Sequence, residues 1–328
     1  MAGTRTGAGA TAATARHRSD RTWLIALAAS LWGFSGVLRA PLSKQYPAAT
    51  IVLWEHLVLV LLLLPWLVPA FRALGRSSVR TRVSVLVIGA GSSALATTLF
   101  TAAFRLGDPI TPQVLQKLQP VLALVFAAFL LGERLRASFA VFAVPALAGA
   151  WLLAFPDPLG ISVRSATAAA LGLGAAALWA GGTVLGRAAS AELGFIHLTT
   201  LRFAVGLIAI GVIVSGTGTP VTVDPDDLPR LVVLAVVPGL LALVLYYWAL
   251  RRTPASRATL AELAFPITAA VVGVTLLQAR LSGSQWVGAA VVLVSVVSLA
   301  LHEYRSTTPA VDVPDDATVA LARVSGRR

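Results

Sequence analysis

The sequence predicts an all-α polytopic membrane protein, ten transmembrane helices arranged as two inverted repeats of five. Three observations carry this. Of the 328 residues, 57% are hydrophobic and only 12% charged, against roughly 25% charged in a soluble globular chain. So few charges cannot cover so much apolar surface, and the bilayer has to be the solvent. Ten apolar stretches approach the length of about 20 residues that a helix needs to cross the hydrocarbon core. The chain also repeats itself. Leu31-Trp32-Gly33-Phe34-Ser35-Gly36-Val37-Leu38 is echoed by Leu178-Trp179-Ala180-Gly181-Gly182-Thr183-Val184-Leu185, an offset of 147 from Trp32 to Trp179.

Residues 1–21 are rich in Ala, Thr and Arg, and Asp20 is their one acid. No small-residue cleavage site follows the next apolar run, so they read as a disordered cytosolic tail rather than a secretory signal. The first repeat, 22–155, holds spans at 22–38, 49–69, 83–104, 110–131 and 138–155. The second, 165–301, holds spans at 165–186, 196–214, 229–250, 256–277 and 284–301. The connections are short and carry Pro, Gly, Asp and Arg, which suits reversals at a membrane surface. The first and fifth spans are short. Residues 302–328 are polar with Pro and Asp, and read as a second disordered cytosolic tail.

Basic residues set the orientation. Of the 26 Lys and Arg, Lys117 and Arg202 lie inside spans. With the N-terminus inside, only Arg39, Lys44, Arg105, Arg164, Arg230 and Arg280 fall outside, and the remaining 18 face the cytosol. Both termini are then cytosolic in a multi-pass protein of the cytoplasmic membrane. Five spans per half start the second half on the opposite side, so the repeat is inverted. Folds of this kind hold substrate near the midplane, where the halves meet and rock.

Several function classes drop out. The net charge of +12 is scattered between apolar runs and forms no nucleic-acid stripe. Cysteine is absent, which excludes disulfides and thiolate metal sites, and no cofactor or metal is expected. No H-E-x-x-H, G-x-S-x-G or P-loop occurs, which argues against an intramembrane enzyme and against ATP-driven transport by this chain alone. No filter-like motif or single-sign charged ring points to a channel. The sequence sets no oligomeric state.

The stretch Leu118-Gln119-Pro120-Val121 running to Leu131-Gly132-Glu133-Arg134-Leu135, and Arg252-Thr253-Pro254-Ala255-Ser256-Arg257-Ala258 running to Phe265-Pro266, resemble the EamA-type branch of the drug/metabolite transporter superfamily. The resemblance covers 22–301. It implies a basket-like bundle in which spans 1–4 and 6–9 line a central cavity, spans 5 and 10 lie at the periphery, and transport runs outward. There are two departures. Ala279 stands where a glutamate often closes the ninth span, and Glu55-His56 stand where the second span commonly has an arginine, while the seventh keeps Arg202.

Ionisable groups within a membrane are costly and face the bundle interior. Five qualify: Glu55, His56, Lys117, Arg202 and Glu262. Glu55 and Arg202 are repeat mates, and Lys117 lies one residue past the mate of Glu262. Each half thus carries one acid and one base with signs exchanged. Counting along the spans places Glu55 and Lys117 in the outer half and Arg202 and Glu262 in the inner half. The expectation is an outer pair Glu55–Lys117 and an inner pair Arg202–Glu262, either gates that strengthen as each side closes or static neutralisation. His56 could exchange protons near neutral pH, but a buried, hydrogen-bonded histidine is the plainer reading. Glu55 and Glu262 are the better candidates for proton coupling.

Gln113, Gln116, Lys117 and Pro120 share one helical face, and Thr259, Glu262 and Pro266 repeat it on span 9. The prolines release the carbonyls of Gln116 and Glu262, which water or substrate could use. The polar faces suit a cavity lining or inter-helix packing. Trp23, Trp66, Trp248 and Trp286 lie near span ends and read as an interfacial belt. Trp32, with Ser35, and Trp179, with Thr183, fall near mid-span among glycines and suit an apolar or cationic ligand or close helix packing. The expected function is a secondary transporter of small organic metabolites (amino-acid-like compounds or drugs), exporting by alternating access. A lipid or isoprenoid flippase on the same fold is the alternative. The partners are a small-molecule substrate, the bilayer and, through the carboxyls, protons.

Overall fold

Among the described residues, length and hydropathy nominate seven helices to cross a bilayer. The computed structural model describes residues 21–131, 139–250, 253, 258 and 260–307. We name the spans α1 (Thr22–Gln45), α2 (Ala48–Arg76), α3 (Val79–Leu106), α4 (111–131), α5 (Phe139–Ala154), α6 (Val163–Ala189), α7 (Phe195–Thr217), α8 (Pro225–Leu250), α9 (Ala264–Thr275) and α10 (Gly283–Thr307). The seven are α1, α2, α3, α6, α7, α8 and α10. The rest fall short because α4 is interrupted by a 3-10 turn at Gln116–Leu118, α5 borders residues outside those described, and a turn at Glu262–Leu263 sets off the 12 residues of α9. The described part is all helix and turn, a polytopic membrane fold of ten spans in two inverted halves.

Local chemistry places several ends. Ser78 and Ser162 cap α3 and α6, accepting from the Thr81 and Ser165 amides. Gly218, at φ 63°, ends α7 in the left-handed conformation that glycine adopts freely. Three C-terminal ends run well past expectation, that of α2 reaching Arg76 instead of 69. α1 runs through Pro41 to Gln45 instead of stopping at 38, and α10 runs to Thr307 instead of 301. At membrane depth a helix keeps its backbone bonded and continues until water can take over. The charge at Arg39 therefore does not end α1.

The inversion is visible in the packing. α2 packs on its repeat mate α7, and α5 on its mate α10. Mates that touch one another lie on a pseudo-two-fold axis. Both third spans carry a π-helical segment at the same repeat offset, Ile88–Leu95 in α3 and Ala235–Leu241 in α8. π-segments put a local widening into a helix and recur at functional sites. α5 and α10 form a flank pair. Gly149 and Gly288 let their backbones meet, and the Gln285 Nε2 donates to the Leu153 carbonyl at 3.0 Å.

Two loop clasps tie the halves together at opposite faces. On the face where α1 begins, the Glu192 carboxylate accepts from the Ser78 amide (2.7 Å), the Ser78 hydroxyl (2.6 Å) and the Thr81 hydroxyl (2.7 Å). On the far face the Tyr46 hydroxyl donates to Asp227 at 2.8 Å, and the Asp224 amide donates to Tyr46 at 3.1 Å. The Ser78 and Thr81 hydrogen bonds hold the Glu192 carboxyl below the usual carboxylate range. A depressed folded-state pKa means that the clasp is fully present above the unfolded value of 4.5 and is lost as pH falls through the folded one. Hydrogen-exchange protection at Ser78–Thr81, corrected for intrinsic rates, should therefore drop on acidification below pH 4.5. Glu192→Ala should show the unprotected level at every pH, and a variant as protected as the parent would refute the clasp.

Candidate functional site

The extension of α1 changes the charge map. Arg39, expected in an external loop, is 6% exposed inside the bundle. Its Nη2 donates to Glu55 Oε1 at 2.6 Å and its Nη1 to Glu55 Oε2 at 3.1 Å and to the Thr101 hydroxyl at 2.5 Å. This bidentate geometry is the strongest form of an Arg–carboxylate pair. Glu55 is therefore bound within its own half, and the expected Glu55–Lys117 pair does not form.

Lys117 instead lies 3.8 Å from Glu262 Oε2, so the expected Arg202–Glu262 pair is absent too. The reason is topological. α4 and α9 are repeat mates, and Lys117 and Glu262 occupy almost equivalent positions, so the pseudo-two-fold brings them face to face at one depth. Counting residues from span ends had put them on opposite sides of the midplane. At 3.8 Å the contact is looser than a hydrogen bond, and both side chains are partly exposed. The second Glu262 oxygen accepts from the Tyr246 hydroxyl at 2.5 Å. Lys117 also lies 4.6 Å from the Phe265 ring.

His56 is built into the packing. Its Nδ1 lies 2.9 Å from the Val52 carbonyl and its Nε2 2.9 Å from the Ser93 hydroxyl, with the Phe203 ring edge-on at 5.8 Å. A carbonyl only accepts, so Nδ1 carries the proton and Ser93 donates to Nε2 in the neutral ring. Arg202 stands apart. Among the described residues no carboxylate pairs with it. Its Nη2 reaches the Ser92 carbonyl only at 3.5 Å, and its buried Nε has no partner.

The two tryptophans are set alike. Trp32 on α1 meets Tyr246 of α8 at 5.2 Å, and Trp179 on α6 meets Phe100 of α3 at 5.1 Å. Each ring thus packs on an aromatic from the third span of the opposite half. Ser35 is buried beside Trp32 in sequence. Thr183 is exposed one turn past Trp179, and its hydroxyl donates to the Trp179 carbonyl at 3.0 Å. Of the polar face on α4, Gln113 is 1% exposed, and its amide donates to the Pro109 carbonyl at 2.9 Å while packing against Gly36. Gln116 is half-buried. Thr259 lies outside the described residues. The carbonyls of Gln116 and Glu262 are not left free by the prolines. A tightened turn satisfies each, through the amides of Gln119 and Phe265.

The far end of the bundle is tightly closed. Gly36 abuts Gln113 and Phe104, and Gly273 of α9 abuts Ile110, while at mid-span Gly33 abuts the Phe265 carbonyl and Thr268 of α9. Ala40, Phe100, Phe104 and Trp179 form one apolar cluster at the far end. On the near side, the mates of Gly36 and Phe100 are Thr183 and Tyr247, and both are exposed.

Reading the sequence missed Arg39, Thr101, Ser92 and Tyr246. For Arg39 a signal existed, since a span of 22–38 is too short to cross unaided. The small-residue run Gly89-Ala90-Gly91-Ser92-Ser93 hinted at a broken helix in α3. For Tyr246 and Thr101 the sequence holds no signal, because their partners lie on other spans.

Comparison with known proteins gives concordant findings. A family model described as the EamA-like transporter family matches twice, at residues 22–155 and 166–301. A riboflavin transporter, ImpX, of Fusobacterium nucleatum is 29% identical over 289 residues, 84% of this chain and 96% of that protein. An uncharacterized transporter of Bacillus subtilis, YwfM, is 26% identical over 209 residues, 64% of this chain and 70% of its own length. A crystal structure described only as that of a protein superposes with a TM-score of 0.58, covering 87% of this chain and 99% of its own. At 20% identity this last match shows the fold alone.

Proposed function

The chain belongs to the EamA-like transporter family, and on that premise we propose that it is a secondary transporter of small, ring-bearing organic metabolites, exporting them from the cytoplasm by alternating access. The observation that carries the reading is the asymmetry between the two ends. Helices α1, α3, α4 and α9 close on one another at the far end, while Thr183 and Tyr247 at the mate positions are exposed. With the face where α1 begins turned to the cytosol, as the basic residues expect, this is an inward-open arrangement. Trp32–Tyr246 and Trp179–Phe100 offer two flat faces between the halves, suited to a planar or cationic group. A relative named as a riboflavin transporter is in keeping with a ring-bearing cargo.

Glu262 is the better placed carboxyl for proton coupling. Glu55 is held by two guanidinium hydrogen bonds, whereas Glu262 has a tyrosine hydroxyl on one oxygen and a loose lysine contact on the other. A rearrangement that separates Lys117 from Glu262 would leave that carboxylate without its cation, which is how helix movement and coupling would be linked.

A solute panel on reconstituted protein, with and without a proton gradient, tests the reading. Riboflavin and aromatic amino acids should be trapped inside vesicles. Glu262→Gln should abolish the gradient's effect on accumulation while leaving solute exchange intact. Trp32→Ala should raise KM by roughly threefold to tenfold. Redistribution of labelled lipid with no trapped solute would replace the transporter reading with a flippase. Gradient-driven uptake that survives in Glu262→Gln would remove Glu262 from coupling.

A further inference from the structure

We infer that Arg202 forms an anion-binding subsite, which takes a carboxylate or phosphate group of the transported molecule; the assignment of that anion to cargo rests on the transporter reading above. The argument comes from broken symmetry. Glu55 and Arg202 are repeat mates, and in the first half Glu55 is neutralised by Arg39 with Thr101 in support. The same offset carries Arg39 onto Gly186 and Thr101 onto Trp248. The second half therefore provides no counter-charge at the mate position. A Cβ placed on Gly186 would meet no atom within 4 Å, so where the first half has a guanidinium the second has room.

Arg202 is thus a cation inside the bundle with no carboxylate against it among the described residues. Its Nε is buried without a partner, and its one hydrogen bond is a long 3.5 Å contact to the Ser92 carbonyl. An intramembrane charge of this kind carries a large solvation cost and is found where a partner or a substrate offsets it. The surroundings are ordered for the purpose. The Phe203 ring lies 6.0 Å from the guanidinium carbon. Ser92 sits in the π-segment of α3, and its hydroxyl donates to the Leu178 carbonyl at 2.6 Å, fixing α3 against α6 beside Trp179. The Leu178–Ser92–Arg202 contacts thus join Trp179 to Arg202, and a ring against Trp179 would have its acidic substituent in the same part of the bundle. The guanidinium fork matches the planar, two-oxygen edge of a carboxylate or phosphate.

The test uses the full chain in detergent and three ring probes, phenylacetate, phenyl phosphate and the neutral phenethyl alcohol, with affinities read by equilibrium dialysis. The parent protein should bind the better of the two anions at least about tenfold more tightly than the alcohol, as a charge-assisted hydrogen bond implies, and the stronger arm names the anionic group. Arg202→Gln should lose at least about tenfold for that anion and leave the alcohol unchanged. Arg202→Lys should fall between them, because it keeps the charge and loses the fork. Equal anion affinity in Arg202→Gln, an equal loss for the alcohol, or no preference for an anion in the parent would each overturn the subsite. Unaltered alcohol binding also reports that the variants are folded. If no solute moves in vesicles while the anion preference stands, the transporter reading alone is lost.

Discussion

Arg39→Met is expected to destabilise the protein by about 3–5 kcal/mol, the cost of stranding one partner of a buried ion pair. Glu55 would lose the 2.6 Å and 3.1 Å hydrogen bonds that satisfy both its oxygens. Both side chains of the pair are only 8% exposed, so water cannot replace what is removed. Thr101 would lose its donor as well. The double variant Arg39→Met with Glu55→Leu leaves no charge behind and should recover most of the loss, since apolar replacement of a buried pair is often neutral. Unfolding followed in detergent separates the cases. A single variant within about 1 kcal/mol of the parent, or a double variant no better than the single, would show that the pair is not the strut described.

Gly33→Leu should abolish transport while the protein still reaches the membrane. A side chain at this position would overlap the Phe265 carbonyl and press on Thr268, so α1 and α9 could no longer meet closely at mid-span. Overpacking a close contact costs about 1–3 kcal/mol. The contact lies at mid-span, between the near-side packing of Leu24 and Ile25 on Ala258 and Ala261 and the far-side contact of Gly273 with Ile110, so splaying it is expected to open the far half of the α1–α9 seam. The variant should therefore rest far-side open and be labelled there by an impermeant thiol reagent at a cysteine introduced at Ser35. The native chain has no cysteine to interfere. Gly211→Leu, at a glycine with nothing within 4 Å, is the matched control and should transport normally. Full activity in Gly33→Leu would mean that the far end does not close through α1 and α9.

Much of the architecture was legible because the signals are local in the chain. Ten apolar runs, the duplicated Trp–Gly segment and the family resemblance led to the ten-span inverted fold. Residue pairing was less legible, and the errors have specific causes. A first span ending at 38 leaves Arg39 in an external loop, whereas Glu55 across the helix interface allows it to stay inside. Lys117 and Glu262 were placed at different depths by counting from span ends, when the pseudo-two-fold sets them opposite one another. The prolines at 120 and 266 correctly marked broken hydrogen-bond ladders. Whether the released carbonyls stay open depends on how the next turn winds, and Gln119 and Phe265 close them.

The sequence by itself determined that the chain lives in a bilayer, that it is two related halves of opposite orientation, and which few ionisable residues lie at depth. Each of these follows from composition or periodicity, properties that a segment carries wherever it packs. Only the tertiary structure decided that Arg39 holds Glu55, that Lys117 faces Glu262, that Tyr246 completes that cluster and that Arg202 is left without a counter-ion among the described residues. Successive side chains on a helix point about 100° apart. A pairing therefore depends on how each helix is rotated and which neighbour it meets, and hydropathy encodes neither.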